Sequence, residues 1–206
     1  NVEVVRAACA TLRSLAAAVD NAVPLVRDGA HGAITAAARD HAGDVEVVRA
    51  ACTTLRSLAA TVDNAVPLVR NGAHATLMAA AQAHNGDVEV VQAACGALRY
   101  LSYASDNCVP LVCDGTHVTV MTAARAHSGD VEVARAACGM LRNLSVTPDN
   151  DVMLMRDGAH VAVMASVRDH SGDLEVAQAA CRTLRHLAMA DGNNLPLMRD
   201  AAHVAV

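Results

Sequence analysis

The chain repeats itself every 43 residues, and this constrains its fold more than any other feature. Val2-Glu3-Val4-Val5 returns as Val45-Glu46-Val47-Val48 and Val88-Glu89-Val90-Val91, then as Val131-Glu132-Val133-Ala134 and Leu174-Glu175-Val176-Ala177. Residues 2–44 and 45–87 match at 33 of 43 positions. Four full periods follow (2–44, 45–87, 88–130 and 131–173), with a partial fifth over 174–206. Self-similarity at this period marks a stack of like units, each burying its apolar face against its neighbours. Residues 1–206 are therefore expected to form a single repeat array.

Composition says how such a stack must be built. Of the 206 residues 53% are hydrophobic, but Phe and Trp are absent and Tyr100 and Tyr103 are the only aromatics. Ala, Val and Leu each bury little area. A core of this kind needs many helix backbones brought close together, which favours stacked helices over one large centre.

Each period reads as three helices. The first is short and covers Ala22 to Arg27, with Asn21 as its expected cap and Pro24 in its first turn. Gly29 permits a sharp corner. The second runs from about Ala30 to His41, with Ile34, Ala37 and Ala38 on its apolar face. Gly43 ends it, and Asp44 caps the third, which runs from about Val45 to Ala60. Val48, Ala51, Leu55 and Leu58 form one stripe along that third helix.

A period of this length with only helices inside points to HEAT or armadillo arrays. The run Leu25-Val26-Arg27-Asp28-Gly29-Ala30-His31-Gly32-Ala33-Ile34 resembles the armadillo signature, a short helix that ends at Gly before a longer one. Ala136-Ala137-Cys138-Gly139-Met140-Leu141-Arg142-Asn143-Leu144-Ser145 resembles the third helix of that family. The resemblance covers the whole chain. It implies an all-α, right-handed superhelix of about five repeats, whose third helices line a concave groove that holds extended protein segments. One departure is plain. Peptide-binding members carry a Trp four residues before a ladder Asn, whereas here the Asn column reads Ser14, Ser57, Tyr100, Asn143, His186 and the Trp column Ala10, Thr53, Gly96, Gly139, Arg182.

Several function classes are excluded. All 16 basic residues are Arg, yet the net charge is −5, against the clustered positive field of a nucleic-acid surface. Single-strand binders also need aromatic stacking platforms, which this chain lacks. No stretch approaches the ~20 apolar residues of a membrane span. No nucleophile–base–orienter set, Gly-rich phosphate loop or zinc motif appears, so the chain reads as a non-enzyme without metal or cofactor. Cys9, Cys52, Cys95, Cys138 and Cys181 form a column, but helices stacked 8–10 Å apart keep its members beyond the ~7 Å reach of a disulfide. Together with Cys108 and Cys113 they read as reduced thiols of an intracellular protein, cytoplasmic or nuclear. His31, His74, His117, His160 and His203 form another column, expected part-buried beside a helix start; His41, His84, His127 and His170 form a second. One helix spacing is too far for neighbours in a column to share a zinc ion.

One face remains. Numbering positions by the first period, 6, 10, 13, 14 and 17 lie opposite the apolar stripe of the third helix. Position 13 is Arg in every period: Arg13, Arg56, Arg99, Arg142, Arg185. Position 6 supplies Arg6, Arg49 and Arg135, with Gln92 and Gln178 between. Tyr100, Tyr103, Asn143, His186 and Met189 make the later periods chemically distinct. These residues form the candidate partner-binding groove, suited to an extended protein segment that is acidic or phosphorylated. The Glu3, Glu46, Glu89, Glu132, Glu175 column could neutralise part of it, and Glu3 could pair with Arg6 on the same helix. The competing reading is a structural spacer or self-associating module in a longer array. The chain starts at Asn1 inside a third helix and stops at Val206 inside a second, so it reads as a fragment whose two ends fray or self-associate end to end.

Overall fold

The computed structural model describes residues 2–189 and Leu197; the expected second helix ending at Val206, and His203 with it, lie outside these. The chain forms two compact units, 1–107 and 108–206. In the first, α1 (Val2–Ala16), α4 (Val45–Ala59) and α7 (Val88–Leu101) stack side by side as the third-helix layer. Behind them α3 (Ala30–Asp40) packs on α4 and α6 (Ala73–Ala83) on α7. The short helices α2 (Val19–Arg27) and α5 (Ala65–Arg70) connect the layers. In the second unit α10 (Val131–Leu144) and α13 (Leu174–Met189) form the third-helix layer. There α9 (Thr116–Ala126) and α12 (Ala159–Asp169) lie behind, with α11 (Asp151–Arg156) as the short connector. Helix α8 (Ser105–Cys113) contains the boundary between the units.

The stripe on the third helix is core as expected: Val48, Ala51, Leu55 and Leu58 are all buried. The caps also form. Asp44 accepts from the Glu46 and Val47 amides, and Asp87, Asp130 and Asp173 each accept from the amide three residues on. Gly29, Gly72, Gly115 and Gly158 adopt φ between 73° and 86°, the left-handed corner between first and second helices that only Gly adopts readily.

Three expectations change. Asn21 does not cap the first helix, which starts at Val19 with no side-chain cap. The Asn at this position instead caps the end of the preceding third helix. The Asn64, Asn107 and Asn150 amides are buried and donate to the Leu58, Leu101 and Leu144 carbonyls at 2.8–2.9 Å. Asn64 and Asn150 also donate to Ala22 and Cys108 of the preceding repeat, so one side chain satisfies two buried acceptors and ties two repeats together. His31, His74, His117 and His160 are buried rather than part-buried, at 1–8% exposure. His117 is 1% exposed because the next repeat covers it, its Nε2 lying 2.9 Å from Asp157 Oδ2. Finally, the Cys column is buried except at Cys181, which like Cys113 is exposed. Burial pushes the Cys52 and Cys95 thiols up to about 12, which makes them inert.

Candidate functional site

The two Arg rows differ in what surrounds them. Arg49 at position 6 is ringed by acids: Glu46 Oε1 on its own helix at 2.7 Å, the helix-capping Asp87 Oδ2 of the next repeat at 2.7 Å, and Glu89 Oε2 at 3.0 Å. Arg135 repeats the arrangement with Glu132 at 2.6 Å, Asp173 at 2.6 Å and Glu175 at 3.8 Å. Arg6 pairs with Glu46 across the helix spacing at 3.3 Å. The Asp87 carboxyl is held below its usual range by the Val90 amide and Arg49, and Asp173 by Arg135 and the Val176 amide. Position 6 therefore bridges repeats: one guanidinium binds the cap and first turn of the next third helix. The sequence-level hint of an i, i+3 pair caught only the local half of this network.

Position 13 lies two helical turns further along the same face. Arg13 and Arg56 have no carboxylate partner among the described residues. Arg56 is half-buried, and its side chain lies flat on α7, where a Cβ added to Gly96 would fall 2.9 Å from Arg56 Nε and 3.2 Å from its Cδ. The missing side chain at position 10 thus lets Arg56 extend over the neighbouring repeat. Arg99 and Arg142 are half-buried too, while Arg185 is exposed. Arg142 donates to Asn143 Oδ1 from Nη2 at 3.1 Å. Tyr100 and Tyr103 form an edge-to-face pair with centroids 5.7 Å apart.

In α13, His186 Nδ1 lies 3.3 Å from Ser145 Oγ and its Nε2 3.5 Å from Arg185 Nη2. Met189 is 75% exposed. Asp151, at the start of α11, occupies the column held by Ala22, Ala65 and Cys108 in the three preceding periods. It is only 7% exposed, and its Oδ1 has no hydrogen-bond partner. Burial raises its carboxyl while nearby His186 opposes the shift. Two features escaped the sequence reading, the Gly96 platform and the buried Asp151; both are legible only by aligning the periods column by column.

A cleft of about 440 Å³ opens between α1 and α4, lined by Arg6, Ala10, Arg13, Glu46, Arg49 and Thr53 among others. A second-helix cleft of about 220 Å³ lies between α3 and α6 and is walled mainly by alanines, Ala79 and Ala83 among them. Among the described residues no cluster of three or more His, Cys, Asp or Glu is placed to hold a metal ion. No described helix is long and apolar enough to cross a membrane.

The fold so described is an all-α solenoid of armadillo type. The family model for the LRRK2 ARM repeat matches residues 31–152, more than half of the chain, and the chain belongs to this ARM repeat family. ARM repeats are in general protein-binding scaffolds and typically non-enzymatic. Among solved structures, an engineered protein from the Northeast Structural Genomics Consortium superposes with a TM-score of 0.62 at 18% identity, over 92% of each chain. That likeness shows the fold alone. No curated protein matches the sequence.

Proposed function

We propose that residues 1–206 act as one ARM solenoid that holds an extended acidic or phosphorylated segment of a partner protein along its third-helix face. Arg13, Arg56, Arg99, Arg142 and Arg185 anchor the segment. Tyr100, Tyr103, Asn143, His186 and Met189 select among segments, and Arg6, Arg49 and Arg135 flank them. The protein works without catalysis or cofactor, in the cytoplasm or nucleus, where its thiols stay reduced.

One observation supports this reading: among the described residues Arg13 and Arg56 keep guanidinium groups without an acidic partner, while two turns away Arg6 pairs with Glu46 and Arg49 is ringed by Glu46, Asp87 and Glu89. A spacer has no use for that difference. Guanidinium holds carboxylate or phosphate in a bidentate fork and stays charged at any working pH. A helix spacing of about 10 Å equals roughly three residues of extended chain, so a linear ligand crosses one repeat about every three residues.

The test is Arg13→Glu with Arg56→Glu, the fold being checked by circular dichroism and melting. Neither side chain is in an ion pair among the described residues, so the loss of stability should stay at about 1 kcal/mol, from the packing of Arg56 on α7. Affinity for the natural partner should fall by at least roughly tenfold and lose much of its salt dependence. A folded double variant that binds as before sinks the proposal. Gly96→Ala separates fold from binding in one residue. Removing a helical Gly should stabilise α7 by about 0.5–1 kcal/mol. The new methyl should also displace Arg56 from its platform and weaken partner binding. Unchanged binding in a stabilised variant would show that Arg56 does not act from this position.

A further inference from the structure

The third-helix face of residues 1–107 carries two stripes of opposite sign. Arg13, Arg56 and Arg99 run along one edge. Seven residues earlier stand Arg6, Arg49 and Gln92, and the sign reverses three residues before these, about 15 Å along each helix axis, at Glu3, Glu46 and Glu89. Arg6 and Arg49 stand among three carboxylates, Glu46, Asp87 and Glu89, so this cluster is acidic by a single charge. Glu46, which holds both Arg6 and Arg49, leaves 43% of its side-chain surface in solvent, and Glu89, which holds Arg49, leaves 65%. Small residues floor the space between the stripes: Ala10, Thr53 and Gly96. The cleft between α1 and α4 joins the two edges, with Arg6 and Arg13 in one wall and Glu46 and Arg49 in the other.

We propose that the segment held on this face alternates in charge: its acidic side chains reach the position-13 arginines, and basic side chains an odd number of residues away reach Glu46 and Glu89. This rests on the proposed groove and narrows its ligand. An extended chain crossing the helices sends successive side chains to opposite sides. Residues an odd number apart therefore face opposite stripes, and residues an even number apart face the same one. At about 3.3 Å per residue and 8–10 Å per helix, an acid at one place and a base three places on meet Arg on one helix and Glu on the next. A wholly acidic segment sets half of its carboxylates against Glu46 and Glu89, and a wholly basic one meets the Arg row in the same unfavourable way.

Three synthetic peptides measured on the full chain at low salt test this. One repeats Glu-Arg-Thr-Thr, with every acid–base separation odd. Another repeats Glu-Thr-Arg-Thr, with the same composition and every separation even. The third repeats Glu-Thr-Glu-Thr. Thr keeps all three extended. The odd-spaced peptide should bind roughly tenfold tighter than the even-spaced one. Glu46→Gln with Glu89→Gln, folded by melting, should bring that ratio close to one and strengthen binding of the all-acid peptide. If the odd- and even-spaced peptides bind alike, or the all-acid peptide binds tightest to the unaltered chain, the acidic stripe is no contact and the Arg groove stands alone. If none of the three binds, the groove itself falls with it.

Discussion

Leu98→Ala should lower the unfolding free energy by about 2–5 kcal/mol, the range for a buried Leu truncated where the site cannot collapse. Leu98 is 0% exposed in α7, on the apolar side of the third-helix layer. It stands in a column with Leu55 and Leu141, each 1% exposed. The same change at Leu12, which is only half-buried in α1, should cost clearly less. Chemical denaturation of both variants checks the pair. A loss below about 0.5 kcal/mol at Leu98, the scale of surface positions, would mean that α7 is turned differently on its axis.

Asp151→Ala should do the opposite and stabilise the protein by about 1–3 kcal/mol, the cost of leaving a buried polar group without a partner. The Ala fits, because Ala22 and Ala65 fill the same column at 0% exposure. The gain should depend on pH in a defined direction. Burial raises the folded carboxyl above its ordinary 3.8, so the folded state prefers the protonated form. What stability wild type draws from that proton is full below 3.8 and is lost as pH rises through the higher folded value. The advantage of Asp151→Ala should therefore be small near pH 3 and reach its plateau in neutral solution. Measuring both proteins at each pH cancels the acid loss that Asp87, Asp157 and Asp173 bring through their lowered carboxyls. An Asp151→Ala variant less stable than wild type at neutral pH would show that His186 repays the burial.

How much of this was legible beforehand follows from where the information sits. The period, the helix division, the Asp caps, the Gly corners and the Leu column are written in local spacing and propensity, and one chain with four copies shows them directly. The second-helix end at Asp40 and the third at Ala59 fall within a residue of expectation. The position-21 Asn was misread because an Asn before a helix looks like its cap; its real acceptor is a carbonyl six residues back, and the second acceptor belongs to another repeat. The His column was placed too near the surface for a related reason. Asp157, which covers His117, is 40 residues away in sequence. The candidate groove was legible as a set of positions but not as an electrostatic surface. The Arg columns look alike in sequence, and only the approach of Asp87 and Glu89 to Arg49 separates it from Arg56 two turns further on.

The central claim is that a partner lies on the third-helix face, and photo-crosslinking tests it most directly. A photoreactive residue at Thr53, in the cleft between α1 and α4, is compared with one at Ala79, in the cleft between α3 and α6. Both positions accept a larger side chain toward open space, and neither is in an ion pair. Exposed to lysate of its source cell, the Thr53 protein should crosslink a discrete partner, and Arg13→Glu with Arg56→Glu should abolish that band. The Ala79 protein should yield no such band. A partner captured from Ala79 and not from Thr53 would place binding on the second-helix layer and contradict the account.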